Sequence, residues 1–170
     1  ASPNDRLATG DKYLNDGKLY VAKFNADGSG QWIELSITTP AIASYSKYTF
    51  ADQADVCVNS RLAADAVGAT KMDRPEWCAV NPENGEIYFT LTNNSNRKVD
   101  ATSSSHSVVD SANPRYYTDV KSGTTNQTGN PNGHIIRIAE TGSDAAATSF
   151  KWDVFLFGAE STADGTKVNL

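Results

Sequence analysis

The sequence predicts a mainly β fold, and two observations carry this prediction. Three segments each contain two runs of alternating apolar and polar residues joined by a short turn with a glycine. The turn glycines Gly28, Gly85 and Gly142 recur every 57 residues, which favours a repeated sheet unit. Repeated small sheets are typical of the blades of a β-propeller. We therefore predict that residues 1–170 are part of a single β-propeller domain and hold about three consecutive blades.

Each predicted hairpin is defined by its turn. The first runs from KLYVAKF through NADGSG to QWIEL, and Asp27-Gly28 is a strong hairpin signal because glycine adopts a positive φ without steric cost. The second runs from EWCAV through NPENG to EIYFTLT, with Ile87, Phe89 and Leu91 on one face. The third runs from HIIRIAE to FKWDVFLFG, whose last residues are apolar on both faces, so we expect an interior strand.

Two segments interrupt this β pattern. In TFADQADVCVNSRLAADAVG, apolar residues recur at helical spacing, which predicts one short helix with Thr49 or Asp52 as its N-cap and Gly68 at its end. The residues expected on its buried face are Phe50, Ala54, Val58, Leu62 and Ala66. Residues 95–132 are rich in Ser, Thr, Asn and Gly and predict a long polar surface insertion.

Composition and charge exclude several classes of function. The net charge is −5 and the pI is near 4.9, so the surface field would repel nucleic acid. No apolar run is long enough to span a bilayer, and no phosphate-binding glycine motif or GxSxG motif occurs. Cys57 and Cys78 match no zinc-ribbon spacing, and their spacing leaves a disulfide and two free core thiols equally open.

The stretch KMDRPEW contains a candidate metal ligand, Glu76. Pro75 fixes its own φ and biases Arg74 toward extended backbone, while Trp77 supplies a large anchor for the start of the strand. A carboxylate on a rigid strand end suits a hard cation, which requires oxygen ligands in fixed positions. The alternative is an ion pair between Glu76 and Arg74.

Other polar residues are candidates for the same site. Asn93 and Asn94 end the return strand of the second hairpin and therefore lie close to the start of its first strand. Together with Arg74 they are candidates for substrate binding or for support of the metal site, although turn formation also explains the two asparagines. His106 and His134 have no partner histidine at a metal-binding spacing, and we expect His134 to be structural.

Five blocks stand out when they are taken in order. They are AADAVGATKMDRPEW, AVNPENGEIYFTLTNN, NPR at 113–115, GHIIR at 133–137, and FKWDVFLFG. Together with LYVAKFNADGSGQWIEL near the start, they closely resemble the PhoX family of bacterial alkaline phosphatases. The most specific part of the resemblance is the block from RPEW to TLTNN, and the whole covers most of the chain.

The resemblance implies an exported phosphomonoesterase on a six-bladed β-propeller, with iron and calcium at one end of the channel. The glutamate of the family's RPEW motif is a metal ligand and corresponds to Glu76. Further ligands in the family are a cysteine well before the motif and acidic residues well after it, and Cys57 and Cys78 do not correspond to that cysteine. We therefore expect this chain to be an internal fragment or a partial chain.

The function implied for the intact protein is hydrolysis of phosphate monoesters by an iron and calcium cluster, which neutralises the phosphate oxygens and stabilises the leaving group. The alternative is a non-catalytic β-propeller module that binds or supports other molecules and has lost the metal site. We expect a periplasmic or extracellular location, with no nucleic-acid partner and no membrane insertion. The isolated chain is expected to be inactive and to self-associate through exposed blade edges.

Overall fold

The computed structural model describes residues 17–121 and 125–159. The strands within these residues are β1 Tyr20–Phe24, β2 Ser29–Glu34, β3 Pro75–Val80, β4 Ile87–Leu91, β5 Arg97–Lys98, β6 Ser107–Val108, β7 Tyr117–Lys121, β8 Thr125–Gly129, β9 His134–Glu140 and β10 Ser149–Phe157. The helices are α1 Pro40–Ala43, α2 Gln53–Val58, α3 Ser60–Ala66 and a 3-10 turn at Thr141–Ser143. The prediction of a mainly β fold is confirmed. The ends of the predicted 1–170 domain lie outside the described residues.

Six strands form one sheet in the order β1-β2-β10-β9-β4-β3. The pairings of β2 with β10, β10 with β9, β9 with β4 and β4 with β3 are antiparallel. The strands of all three predicted hairpins are present, and β10 lies inside the sheet as expected. The hairpins share this one sheet and do not form three separate sheets.

The chain divides into two compact units, whose described parts are residues 17–21 with 33–69, and residues 22–32 with 70–121 and 125–159. The core of the first unit consists of Leu35, Ile42, Phe50, Val56 and Ala63. The core of the second unit consists of Leu91, Ala112, Ile136, Ile138 and Phe150, with Ile87, Phe89 and Trp152 packed against it. The predicted inward face of β4 is therefore confirmed.

The predicted single helix is in fact two short helices. Asp52 caps α2, because its side chain accepts a hydrogen bond of 2.8 Å from the Asp55 N–H, and Gly68 follows α3 with φ of 67°. Both ends are as expected. Asn59, with φ of −97° and ψ of 37°, separates the two helices.

The buried face of this segment agrees with the prediction in part. Phe50 is buried and Leu62 and Ala66 pack against the same core, whereas Ala54 is exposed and Val58 is 81% exposed. The break at Asn59 changes the helical phase, so a single helical period drawn across it misses the fully buried Val56 and Ala63.

Residues 95–132 are not wholly a surface insertion. Strands β5 and β6 form a parallel pair and β7 and β8 an antiparallel pair within this segment. The segment also contributes four buried polar side chains, Arg97, Asn113, Arg115 and Asn130. Hydrogen bonds to residues distant in sequence offset part of the cost of burying these polar side chains, and local polarity does not reveal such contacts.

Both cysteines are free and exposed, so neither proposed role for Cys57 and Cys78, a disulfide or core thiols, is present. Helices in the described part of the chain lack the length and apolar character that a membrane crossing requires.

Candidate functional site

One end of the sheet brings together the predicted site residues of the second unit. Pro75 at the start of β3 is paired with Leu91 at the end of β4, and Leu91 is paired with His134 at the start of β9. Phe157 at the end of β10 is paired with His134 from the other side. We call this row of four residues and the loops attached to it the site end.

Glu76 lies in a β-bulge at the site end. Pro75 is opposite Leu91 and Trp77 is opposite Thr90, so Glu76 has no residue facing it across the strand pair. A bulge turns a side chain away from the regular alternation of a strand, and bulges are over-represented next to active sites. The Glu76 carboxylate is exposed and has no hydrogen-bond or ion-pair partner among the described residues. It is therefore free to bind a cation.

Arg74 does not form the alternative ion pair with Glu76. Its Nη1 donates instead to the backbone oxygen and to Oδ1 of Asn93, at 3.3 and 3.2 Å. The backbone of Arg74 is left-handed, with φ of 48°, and not extended as predicted. Two contacts explain this conformation: the Arg74 N–H donates to the Met72 oxygen at 3.0 Å, and the Arg74 oxygen accepts from the Thr92 N–H at 3.2 Å.

The two candidate asparagines have different environments. Asn94 exchanges two backbone hydrogen bonds with Asn130, and its Nδ2 donates to Asp73 Oδ1 at 2.7 Å. Its Oδ1 accepts from the Asn96 N–H at 2.9 Å, which is the turn contact that the alternative interpretation expects. Asn93 accepts from Arg74 and donates through Nδ2 to Gln127 Oε1 at 3.1 Å, so it connects Arg74 to strand β8.

Behind the site end lies a buried polar cluster that the sequence analysis did not identify. It consists of Asp73, Arg97, Asn113, Asn130 and His134, each at most 2% exposed. Asp73 is its centre, because Oδ1 accepts from Arg97 Nε at 2.8 Å and Oδ2 accepts from Asn130 Nδ2 at 2.9 Å. Asp73 is thus fully engaged within the protein, although it lies only three residues before Glu76.

Arg97 satisfies its donors within this cluster. Nη1 donates to the Val108 oxygen at 2.5 Å, Nη2 donates to the Lys71 oxygen at 2.7 Å, and Nε donates to Asp73. A second carboxylate, that of Asp110, lies 3.6 Å from Nη1. No local pattern marks Arg97, because its main partner lies 24 residues earlier in the chain.

His134 is structural, as predicted. Its Nε2 lies 2.7 Å from the Ala112 backbone oxygen and must donate to it, so Nδ1 carries a lone pair and accepts from Asn130 Nδ2 at 3.1 Å. This arrangement describes a neutral ring. Burial lowers the pKa of His134, which favours the same neutral state.

Arg115 is a second buried arginine at the site end. Its Nη1 donates to the Gly158 oxygen at 2.6 Å, and its guanidinium group lies over the rings of Tyr117 and Phe157, at 4.4 and 5.0 Å from their centroids. Among the described residues, Nε and Nη2 have no partner. Burial lowers the pKa of Arg115. Two donors on one edge of a guanidinium group suit the paired oxygens of a carboxylate or a phosphate.

The described residues do not contain a complete metal site. No group of three or more His, Cys, Asp or Glu side chains is placed to hold a metal within residues 17–121 and 125–159. Glu76 is thus one candidate ligand, and Arg74, two residues before it in the chain, binds Asn93.

Comparison with known proteins identifies the family. The model of the family described as alkaline phosphatase PhoX matches residues 2–169. The structure of Pseudomonas fluorescens PhoX in complex with vanadate, a transition state analogue, is 41% identical with a TM-score of 0.68, and the match covers 89% of this chain and 24% of that chain. No curated protein matches the sequence. The chain spans about a quarter of the length of the Pseudomonas protein, and it belongs to the PhoX family of alkaline phosphatases.

Proposed function

We propose that this chain is part of a metal-dependent phosphomonoesterase in which Glu76 is a ligand of an iron and calcium cluster. The observation that carries the proposal is the exposed Glu76 carboxylate, which lies in a bulge at the site end without a partner among the described residues. Membership of a phosphatase family supports the reaction class. Bound cations would neutralise the phosphate oxygens and stabilise charge on the leaving group.

The chain's own residues fit such a cluster in part. Glu76 offers hard oxygen ligands, whereas both oxygens of Asp73 already accept hydrogen bonds. The remaining ligands would come from outside the described residues, in agreement with the 24% coverage of the Pseudomonas protein.

Arg74 and Asn93 are proposed to bind and orient the phosphate group. The described contacts of the Arg74 side chain use one guanidinium nitrogen, Nη1, and Asn93 accepts both hydrogen bonds. This leaves the Nε and Nη2 edge for phosphate oxygens, while Asn93 holds Nη1.

We further propose that the sheet and its loops form part of one β-propeller domain in the complete protein. Strand β3 lies at the sheet edge and is exposed at all six residues, with Trp77 at 78% and Val80 at 57%. Neighbouring strands of a complete propeller would cover this edge, and an isolated chain would self-associate through it. A periplasmic or extracellular location is proposed for the complete protein, since the family is typically exported.

The test compares Glu76→Gln with Glu83→Gln in the complete polypeptide that contains this chain. Glu83 is an exposed glutamate in the turn between β3 and β4, away from the site end, and serves as the matched control. Hydrolysis of an aryl phosphate in calcium-containing buffer is the assay. Because changes outside the metal's own ligands cost about 10–100-fold, loss of a ligand should cost more than about 100-fold. Full activity of Glu76→Gln would refute the assignment.

A non-catalytic module is the second candidate, since the described residues hold no group of three metal-binding side chains. Elemental analysis of the complete protein separates the two. Stoichiometric iron and calcium would support the metal-dependent phosphatase. A folded protein without metal would support the non-catalytic module. The isolated 170-residue chain is expected to show no turnover, because Glu76 alone cannot assemble a cluster.

A further inference from the structure

Asn113, in the polar segment 95–132, binds the main chain that precedes Glu76, the candidate metal ligand. It is completely buried; its Oδ1 accepts from the Asp73 N–H at 2.9 Å, and its Nδ2 donates to the Lys71 oxygen at 3.1 Å. One side chain therefore satisfies two backbone groups that lie two residues apart, as a neighbouring strand would. This contact spans at least 40 residues of sequence.

The orientation of the Asn113 amide is fixed by its own loop. Asp110 Oδ1 accepts from the Asn113 N–H at 2.8 Å and from Nδ2 at 3.0 Å. Only the NH₂ group can donate to the carboxylate of Asp110 and to the Lys71 oxygen, so the amide oxygen must face Asp73. The loop thus fixes one orientation of the Asn113 side chain relative to the backbone of Lys71 and Asp73.

The chain that Asn113 holds leads directly into a strained turn. Arg74 has φ of 48°, and a left-handed conformation is unfavourable for a residue other than glycine, so it persists only where the surroundings enforce it. Hydrogen bonds hold the backbone on both sides of Arg74. Asn113 binds the backbone at Asp73 before the turn, and Thr92 binds the Arg74 oxygen after it.

We infer that Asn113 is a positioning residue for the Glu76 carboxylate, an inference that rests on the function proposed above. Glu76 follows Asp73 by three residues, across the turn at Arg74 and into the bulge of β3. A metal ligand must be held within about 0.5 Å of its productive position. Asn113 fixes the start of this three-residue path, while the pairing of Trp77 with Thr90 fixes its end.

The test uses Asn113→Leu in the complete polypeptide, because leucine has a similar volume and lacks both polar groups. The matched control is Asn59→Leu. Asn59 Nδ2 donates to Tyr48 Oη at 3.3 Å and to Asp55 Oδ1 at 2.6 Å, and all three residues belong to the first unit. Asn113→Asp is a third variant of nearly unchanged shape: it keeps an acceptor for the Asp73 N–H but places a carboxylate against Asp110 Oδ1 and the Lys71 oxygen, which both lose the Nδ2 donor.

Three readouts are taken at a temperature at which each variant is folded: amide hydrogen exchange, bound iron and calcium per chain, and kcat/KM. Asn113→Leu is expected to raise exchange of the Asp73 and Thr92 amides at least tenfold, and to lower metal content and kcat/KM by tenfold or more. Asn113→Asp should change all three readouts in the same direction. Asn59→Leu should change none of the three.

Two results would overturn the inference. One is unchanged exchange at Thr92 together with unchanged metal content in Asn113→Leu and Asn113→Asp. The other is an equal loss in Asn59→Leu, which would indicate a general loss of stability. If Glu76→Gln keeps its metal and activity, the proposed function fails on its own, and exchange at Thr92 still decides whether Asn113 fixes the turn.

Discussion

Replacing Asp73 by Asn tests whether the buried polar cluster is organised around a single carboxylate. Asp73 accepts three side-chain hydrogen bonds, from Asn94 and Arg97 on Oδ1 and from Asn130 on Oδ2. Asparagine has nearly the same shape but carries an NH₂ group in place of one oxygen. With its oxygen toward Arg97, the new NH₂ group faces the NH₂ group of Asn130.

The magnitude follows from the groups left without partners. Two buried donors, the one introduced by the substitution and the one on Asn130, lack an acceptor, and each costs about 1–3 kcal/mol. Among the described residues, Arg97 then keeps only Asp110, at 3.6 Å, as a carboxylate neighbour. The expected loss is about 3–5 kcal/mol, which is also the range for breaking a buried ion pair. For a chain of this length the melting temperature should fall by about 10 °C.

The assay is urea unfolding followed by tryptophan fluorescence and circular dichroism, as a cycle with Asn130→Asp. In the single variant Asn130→Asp, two carboxylates face each other. In the double variant, the introduced carboxylate accepts from the introduced NH₂ group and from the Gly133 N–H, which donates to Asn130 Oδ1 in the wild type. The double variant should be more stable than the sum of the single losses by about 2 kcal/mol. An additive cycle, or a loss below about 1 kcal/mol for Asp73→Asn, would refute this account of the cluster.

Two further predictions concern the same end of the sheet. Burial lowers the pKa of His134 from its ordinary value of 6.5. Below pH 6.5 the unfolded chain therefore takes up a proton at this histidine while the folded chain does not. The stability of the fold is thus complete above pH 6.5 and decreases as the pH falls below it. Between about pH 7.5 and 5.5, the free energy of unfolding measured in urea should fall more for the wild type than for His134→Gln, by up to about 1.4 kcal/mol per pH unit. His106→Gln is the control and should behave as the wild type. Equal losses in the wild type and His134→Gln would contradict the prediction. The second prediction is that Gly133→Ala lowers the free energy of unfolding by at least about 2 kcal/mol more than Gly142→Ala. Both glycines have φ near +70°, so the backbone strain is the same. A Cβ at Gly133 would collide with the Leu91 backbone oxygen, whereas a Cβ at Gly142 meets no atom within 4 Å. Equal melting temperatures of the two variants would show that the Leu91 backbone moves aside.

The strands were predictable because their signals are local. Alternation of Ile87, Phe89 and Leu91 and the turn at Gly85 are read from neighbouring residues, and both describe the observed second hairpin. The prediction of one helix failed at Asn59, although the contacts there are also local. Asn59 Nδ2 donates to the side chains of Asp55 and Tyr48, and hydrophobic periodicity does not detect such polar contacts.

The buried polar cluster could not be predicted from the sequence. Each of its contacts to Asp73 joins segments far apart, such as that with Asn130 across 57 residues, and polar residues in a Ser-rich and Asn-rich stretch are usually solvated. Conversely, Glu76 was identified through a family motif and through proline and tryptophan neighbours. The bulge that exposes its carboxylate depends on pairing with β4 and became visible only in the folded sheet.

The charged stretch before β3 is best understood through its backbone. In a regular strand Arg74 and Glu76 would share a face, and an ion pair between them would follow from their spacing. The left-handed turn at Arg74 and the bulge at Glu76 remove that relation, so Asp73 is buried, Arg74 binds Asn93 and the carboxylate of Glu76 stays free. The buried charge and the strained turn both cost stability, and each lies immediately before the free carboxylate. Two destabilising features at one strand end favour a binding role for Glu76 over a purely structural one.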